Sequence, residues 1–169
     1  MKTVLILGAN SDVAKEAMVL YVLRGYRVIA ASRSVEEIGA FAAARGMRVS
    51  EGEESTAGVM IRRWDATDFT SHAAFYASLL TKPNIVVYAA GFQVTNEEAL
   101  VSWEGTYRMM NVMYAGAVSI LNIIAMDATN DHLERIVGLS SLSGVRGRKS
   151  NFIYGSTKAA FTTYLAGLR

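Results

Sequence analysis

Five short runs of apolar residues, each bounded by glycine or polar residues, recur along the chain. Runs of this length that are apolar at nearly every position are typical of strands buried on both faces of a parallel sheet. The predicted strands cover residues 3–7, 27–31, 59–64, 85–89 and 135–140.

Between these runs, apolar residues recur every three or four positions, which predicts amphipathic helices. The predicted helices cover residues 12–24, 34–45, 70–80, 96–104 and 106–127, and a last one begins near 152. The segment 46–58 shows neither period and carries Glu51, Glu53 and Glu54, so it is predicted to be a solvated loop. Alternating strands and helices predict an α/β fold, a doubly wound parallel sheet with helices on both faces. Without repeats or linkers, residues 1–169 are predicted to form a single domain.

Composition narrows the class of protein. A 51% content of apolar residues excludes a disordered chain. The net charge of +2, from 17 basic and 15 acidic residues, is too small to predict binding to nucleic acid or to an anionic membrane. The chain has no cysteine, which excludes a disulfide framework and a thiol nucleophile and agrees with an expected cytoplasmic location.

Two apolar segments raise the question of a membrane. The N-terminal run resembles a signal peptide, but polar residues from Asn10 onward interrupt it, so a first buried strand is the favoured interpretation. Residues 109–126 carry no charge, yet Asn111, Ser119 and Asn122 interrupt them. A helix buried against the sheet or a partner subunit is favoured over a membrane span.

The first strand ends in GANSDVA, residues 8–14. In open α/β sheets, ligands bind beyond the carboxyl ends of the strands, where the strand order reverses. Gly8 permits a tight turn, and the helix that follows offers free N–H groups to a pyrophosphate. Asn10, Ser11 and Asp12 also suit an ordinary strand-to-helix turn, which remains the alternative.

The other strand ends carry further candidates for a dinucleotide site. Arg33 suits the 2′-phosphate of NADP(H), whereas a surface arginine is the alternative. Asp65 is either an adenine contact or a turn residue. Ala89, Ala90 and Gly91 are small enough for a cofactor to lie against the backbone, although close helix packing explains them equally well.

Candidate chemistry lies near the start of the last helix. Tyr154 and Lys158 are four residues apart and share a helical face. A tyrosine hydroxyl has an ordinary pKa near ~10, and a nearby cation favours its phenolate form. Such pairs occur by chance in many helices, but here Ser140 and Ser141 close the fifth strand and Asn111 lies in an uncharged helix, where an amide needs a partner.

Together these motifs resemble the short-chain dehydrogenase/reductase family of the classical type, over the whole chain. The resemblance implies a Rossmann fold and an oxidoreductase that uses NADP(H), or NAD(H), on a small-molecule carbonyl or alcohol. It also implies that Tyr154 is the acid/base, Lys158 its partner and a ribose ligand, Ser141 the donor to the substrate oxygen, and Asn111 the holder of a relay water. The implied cofactor contacts are Gly8, Asn10, Ser11, Asp12, Val13, Arg33, Asp65, Ala89, Ala90, Gly91, Tyr154 and Lys158.

The chain departs from the family pattern at two motifs. Asp12 and Ala14 stand where the glycine motif has its second and third glycines, and Tyr88-Ala89 replaces the two asparagines of NNAG. These departures favour the alternative of a non-catalytic dinucleotide-binding or structural module. A sugar-nucleotide epimerase would share the serine, tyrosine and lysine, but Asn111 suits the classical type better.

The segment 144–159, GVRGRKSNFIYGSTKA, resembles the decaprenylphosphoryl-2-ketoribose reductases and implies a keto-sugar substrate. Its basic residues Arg146, Arg148 and Lys149 suit a substrate phosphate, or form a solvated loop.

Two expectations concern what surrounds this domain. Family members continue into two more strands and a Pro-Gly loop, whereas the one proline here is Pro83, so the sequence is either a fragment or a shortened relative. The apolar faces of 106–127 and 159–168 exceed what one sheet face covers, which predicts a homodimer or homotetramer.

Overall fold

The computed structural model of the chain describes residues 1–50 and 58–168. The strands are β1 Thr3–Leu7, β2 Arg27–Ser32, β3 Val49–Ser50, β4 Gly58–Arg63, β5 Ile85–Tyr88 and β6 Arg135–Gly138. The helices are α1 Asp12–Leu23, α2 Val35–Ala44, α3 His72–Ala77, α4 Asn96–Val101, α5 Trp103–Met110, α6 Gly116–Ala125 and α7 Phe152–Gly167. A π turn, Asn111–Ala115, joins α5 to α6, and 3-10 turns form at Phe69–Ser71 and Leu142–Gly144.

The strands form one parallel sheet in the order β3-β4-β2-β1-β5-β6. Alternate residues of β1 point to opposite faces: Val4 and Ile6 belong to the cluster under α1 and α2, and Leu5 and Leu7 to the cluster under α3, α5, α6 and α7. Both faces are therefore covered, which confirms the predicted fold class. The chain moves from β1 out to β4 and then crosses back to β5, so the strand order reverses between β1 and β5.

Several predicted element boundaries were wrong. Val49–Ser50, within the predicted loop, pairs with β4, and residues 51–57, with their three glutamates, lie outside the described residues. The helix predicted at 70–80 begins as a 3-10 turn and ends at Ala77. Strand β6 ends at Gly138, which leaves Ser140 and Ser141 in the loop rather than at the end of the strand.

The continuous helix Trp103–Ala125 is long and apolar enough to cross a membrane by length and composition. In the fold, however, it supplies fully buried core residues, among them Met109, Met113, Ile120 and Ile124. This packing against the sheet is the favoured alternative of the sequence analysis, a buried core helix.

Two helical glycines yield a matched prediction. A Cβ at Gly116 would lie 2.3 Å from the Ala66 carbonyl oxygen, whereas a Cβ at Gly105 would meet Val94 at an ordinary 3.6 Å. Gly116→Ala should therefore lower the free energy of unfolding by about 1–3 kcal/mol, because backbone must move. Gly105→Ala should raise it by roughly 0.5–1 kcal/mol through helix propensity. Urea denaturation measures both, and equal effects would contradict the close approach of α6 to the turn after β4.

Candidate dinucleotide and proton-transfer site

A cleft of about 370 Å³ opens at the carboxyl ends of β1, β2, β4 and β5, where the strand order reverses. Eight of the residues predicted to contact a cofactor line this cleft, together with six residues that were not predicted. The lining residues are Gly8, Asn10, Ser11, Ser32, Arg33, Trp64, Asp65, Ala66, Ala89, Ala90, Gly91, Phe92, Arg108 and Val112. The fold thus brings candidates from four separate strand ends to one concave surface.

Gly8 fixes the floor of the cleft. Its φ of +86° lies in the left-handed region, and a Cβ there would stand 2.3 Å from the backbone nitrogen of Ala90. The N–H groups of Gly8 and Ala9 both donate to the Ala31 carbonyl oxygen, at 2.9 and 3.1 Å. Because only glycine accommodates both the conformation and the contact, the turns after β1 and β5 meet without a side chain between them.

Ser11 begins helix α1 as its N-cap. Its Oγ accepts a hydrogen bond from the Ala14 N–H at 3.2 Å. Ala14 is fully buried, in agreement with close packing of α1 on the sheet. Asp12 and Val13, in the first turn of α1, are exposed and do not line the cleft, so their cofactor contacts stay predictions.

Asn10 and Arg33 form one side of the cleft. The Asn10 Nδ2 donates to the Ser34 carbonyl oxygen at 3.1 Å, while its buried Oδ1 has no hydrogen-bond partner in the described part of the chain. Arg33 is exposed at the rim, and its carbonyl oxygen accepts from Arg63 Nη1 at 2.7 Å. This side of the cleft therefore presents the Asn10 Oδ1, a buried acceptor that has no donor among the described residues. It also presents the exposed Arg33 side chain, whose backbone is held by the hydrogen bond from Arg63.

Asp65 lies in a turn after β4 that its own side chain stabilises. Its Oδ1 accepts from both the N–H and the hydroxyl of Thr67 at 2.8 Å, the turn role foreseen as the alternative. Its carbonyl oxygen accepts from Nε2 of the buried His72 at 2.9 Å. Since a carbonyl cannot donate, Nε2 carries the proton, and His72 Nδ1 accepts from the Ser119 hydroxyl in the neutral ring.

Lys158 connects the cleft to helix α7. It is only 6% exposed, and its Nζ donates to the Leu139 carbonyl oxygen at 2.7 Å. A Cβ at Gly91 would lie 3.7 Å from that Nζ, so the ammonium stands behind the cleft wall, 5.8 Å from the centre of the Tyr154 ring. Burial lowers the pKa of Lys158 from its ordinary value because the charged form loses hydration.

The Ser141 loop lies tightly against the same helix. A Cβ at Gly155 would stand 2.5 Å from the Ser143 carbonyl oxygen, and one at Gly144 would stand 2.8 Å from the Ala159 nitrogen. The Ser141 Oγ accepts from the Ser143 N–H at 3.2 Å and keeps its own proton for another acceptor. Two glycines therefore allow the loop and the Tyr154 helix to approach closely.

Asn111 begins the π turn between α5 and α6. The Gly116 N–H donates to the Asn111 carbonyl oxygen, an i to i+5 bond that marks the π geometry. Asn111 is half-buried, and the π turn that it begins packs against α7. Asn111 was predicted to lie in a regular helix, whereas it begins a π turn.

Six residues that line the cleft were not predicted from the sequence: Ser32, Trp64, Ala66, Phe92, Arg108 and Val112. Trp64 and Ala66 flank Asp65 and could have been inferred from the end of β4. Arg108 lies one turn before Asn111 and is 5.0 Å from the centre of the Phe92 ring, a contact between distant residues that no local pattern signals.

Comparison with known proteins agrees with this geometry. A family model for the short chain dehydrogenase matches residues 2–169. An uncharacterised oxidoreductase of Myxococcus xanthus is 27% identical over 173 residues, which cover 99% of this chain and 65% of that protein. The chain thus spans about 65% of the length of this relative.

Solved structures share the fold. The serine dehydrogenase of Escherichia coli superposes with a TM-score of 0.83 at 22% identity, over 99% of this chain and 74% of that one. A short-chain dehydrogenase of Sphingobium yanoikuyae in complex with NADPH gives 0.82 at 22% identity, over 99% and 65%. Since the family model matches nearly the whole sequence, this chain belongs to the short-chain dehydrogenase family.

Proposed function

We propose that this chain carries the cofactor site and the proton-transfer residues of an NADP(H)-dependent oxidoreductase acting on a carbonyl or alcohol carbon. The observation that carries the proposal is Lys158, a buried ammonium that stands between the cleft wall at Gly91 and the face of α7 bearing Tyr154. A cation withdrawn from water is costly. Its placement at this junction is accounted for by contacts to both a cofactor ribose and a phenolate.

The cleft fits a dinucleotide. At Gly8 the turns after β1 and β5 meet with no side chain between them, so the floor of the cleft is backbone. The Asn10 Oδ1 adds a buried hydrogen-bond acceptor. Arg33 would hold the 2′-phosphate, and Lys158 the nicotinamide ribose. The bound nicotinamide would supply or accept the hydride.

Residues of this chain would transfer the proton to and from the substrate oxygen. The Ser141 hydroxyl would donate to the substrate oxygen, where charge develops during hydride transfer. Tyr154 would give its proton to that oxygen in reduction and take it back in oxidation. Asn111 would hold a water through which Tyr154 takes up a proton from solvent after reduction and releases one to solvent after oxidation. A free or phosphorylated keto-sugar is one candidate substrate, since the exposed Arg146, Arg148 and Lys149 precede α7.

A non-catalytic module of the same fold, either dinucleotide-binding or structural, is the second candidate. Asp12 places a carboxylate in the first turn of α1, where family members have glycine and where a pyrophosphate would approach. Like charges there weaken phosphate binding, which favours the structural form of this module.

Cofactor choice is tested at Arg33. NADPH should bind more tightly than NADH, and Arg33→Ala should narrow that gap by about 1.5–3 kcal/mol, roughly 10- to 150-fold, the strength of a charge-assisted hydrogen bond. Fluorescence titration measures both affinities. Arg24→Ala is the matched control, because Arg24 is an exposed arginine at the far end of α1. Equal affinities for the two cofactors in the unmodified protein would contradict the assignment.

Turnover is tested at the proposed proton-transfer residues, in the full-length gene product and with a panel of ketones and keto-sugars. Tyr154→Phe should lower kcat by about 10²–10⁴-fold with the NADPH Kd nearly unchanged, because one hydroxyl is lost. Lys158→Met should lower kcat and also weaken NADPH binding. Ser141→Ala should mainly slow the chemical step.

Tyr21→Phe controls for loss of a tyrosine hydroxyl outside the cleft. Full activity of Tyr154→Phe would remove the catalytic assignment. An unmodified protein that binds NADPH but reduces no carbonyl would favour the binding module.

We further propose that subunits pair through a stripe on α5 and the π turn. Trp103, Tyr107, Met110 and Tyr114 recur at helical spacing and are all exposed, a large apolar surface for a monomer. This stripe covers only the first part of the face predicted at 106–127.

Light scattering at micromolar concentration should report a dimer or tetramer. Tyr107→Glu should dissociate it, whereas Leu23→Glu, at an even more exposed apolar position on α1, should not. A monomeric unmodified protein would contradict the pairing.

A further inference from the structure

Tyr88 joins the cleft, the π turn and helix α7. It ends β5, is 1% exposed, and stands where the family motif has an asparagine. Its ring meets Trp64 of the cleft edge-on at 6.0 Å between centroids and Phe161 of α7 at 5.6 Å. Phe161 in turn lies 5.8 Å from the Lys158 ammonium. A single buried ring thus contacts elements from each part of the candidate site.

The hydroxyl of Tyr88 reaches into the π turn. It donates to the Val112 carbonyl oxygen at 2.5 Å, one residue beyond Asn111. A π turn departs from the i to i+4 ladder, so a hydrogen bond from outside the helix adds to the i to i+5 bond that holds it. A buried carbonyl also needs a donor. An asparagine side chain is too short to replace the tyrosine in this contact, since the phenol spans the distance from β5 to the helix.

The bond is insensitive to pH near neutrality. Burial raises the pKa of the Tyr88 hydroxyl well above its ordinary value, because the phenolate would lose its hydration. The hydroxyl therefore remains a donor throughout the range in which the protein would work.

We propose that Tyr88 is a positioning residue whose hydroxyl fixes the π turn through Val112 and so sets where Asn111 faces helix α7. The inference rests on the proposed function, because the position of Asn111 affects turnover only if the site transfers a proton. Tyr88, which replaces an asparagine of the family motif, thereby has a role of its own: its hydroxyl stabilises the π turn directly.

Tyr88→Phe tests the hydroxyl alone, since the ring that fills the core is kept. Tyr76→Phe is the matched control: Tyr76 is also buried, at 4% exposure, and its hydroxyl donates to Asp127 at 3.0 Å. That bond lies near the amino end of β5, because Asn130 contacts both Tyr76 and the Pro83 carbonyl oxygen. Both variants should lose similar stability, about 1–3 kcal/mol.

Two readouts separate positioning from stability. Hydrogen exchange of the peptide 109–118 should quicken in Tyr88→Phe and stay unchanged in Tyr76→Phe. In the full-length gene product, kcat should fall about tenfold in Tyr88→Phe alone, with the NADPH Kd within about twofold, since the cleft floor is untouched.

Unchanged exchange in Tyr88→Phe would overturn the inference, as would faster exchange with an unchanged kcat. If the unmodified protein shows no turnover, the proposed function fails, and the proposed effect on turnover fails with it. The exchange readout then still decides separately whether Tyr88 holds the π turn.

Discussion

The close backbone contact between the turns after β1 and β5 is the constraint on which the rest of the site depends. At Gly8 the two turns approach so closely that even a methyl group would overlap the Ala90 backbone. This contact occurs where the sheet order reverses, so it creates a cleft whose floor is backbone rather than side chain. Small residues at Ala89 and Gly91 continue that floor toward Lys158.

The second constraint is the burial of a charge. Within the described residues, the Lys158 ammonium makes one hydrogen bond, to the Leu139 carbonyl oxygen, and a buried ammonium with a single acceptor is unfavourable. A protein that needed only a packed helix would place an apolar residue there. A cation kept at this position, near the cleft wall and the Tyr154 ring, supports the proposal that it serves ligand binding and proton transfer rather than stability.

The sequence predicted what depends on continuous local pattern. β1 and the start of β5 were predicted correctly because, apart from Thr3, every residue in them is apolar, and both faces are buried. β3 was not predicted because a strand of two residues shows no hydrophobic period. The π turn was not predicted because i to i+5 bonding has no sequence signature. The position of Ser141 was predicted by motif, but its separation from the strand depends on where β6 stops pairing.

Contacts between distant residues were the least predictable part of the site. The sequence shows Tyr88 only as a departure from a motif; that its hydroxyl reaches Val112 follows from the separation of β5 and the helix. Arg108 over Phe92 is of the same kind. Conversely, Asp12 and Val13 were inferred from the family motif, and the fold leaves both exposed beside the cleft.

The claim that the cleft is the dinucleotide site can be measured directly with Trp64. The chain has two tryptophans, of which Trp64 lines the cleft and Trp103 is 70% exposed on α5. In a Trp103→Phe variant, titration with NADPH should quench the emission of Trp64 and transfer its energy to the bound nicotinamide, with a saturation curve that matches calorimetry. Saturable NADPH binding in the calorimeter with no change in Trp64 emission would place the cofactor elsewhere and contradict the account.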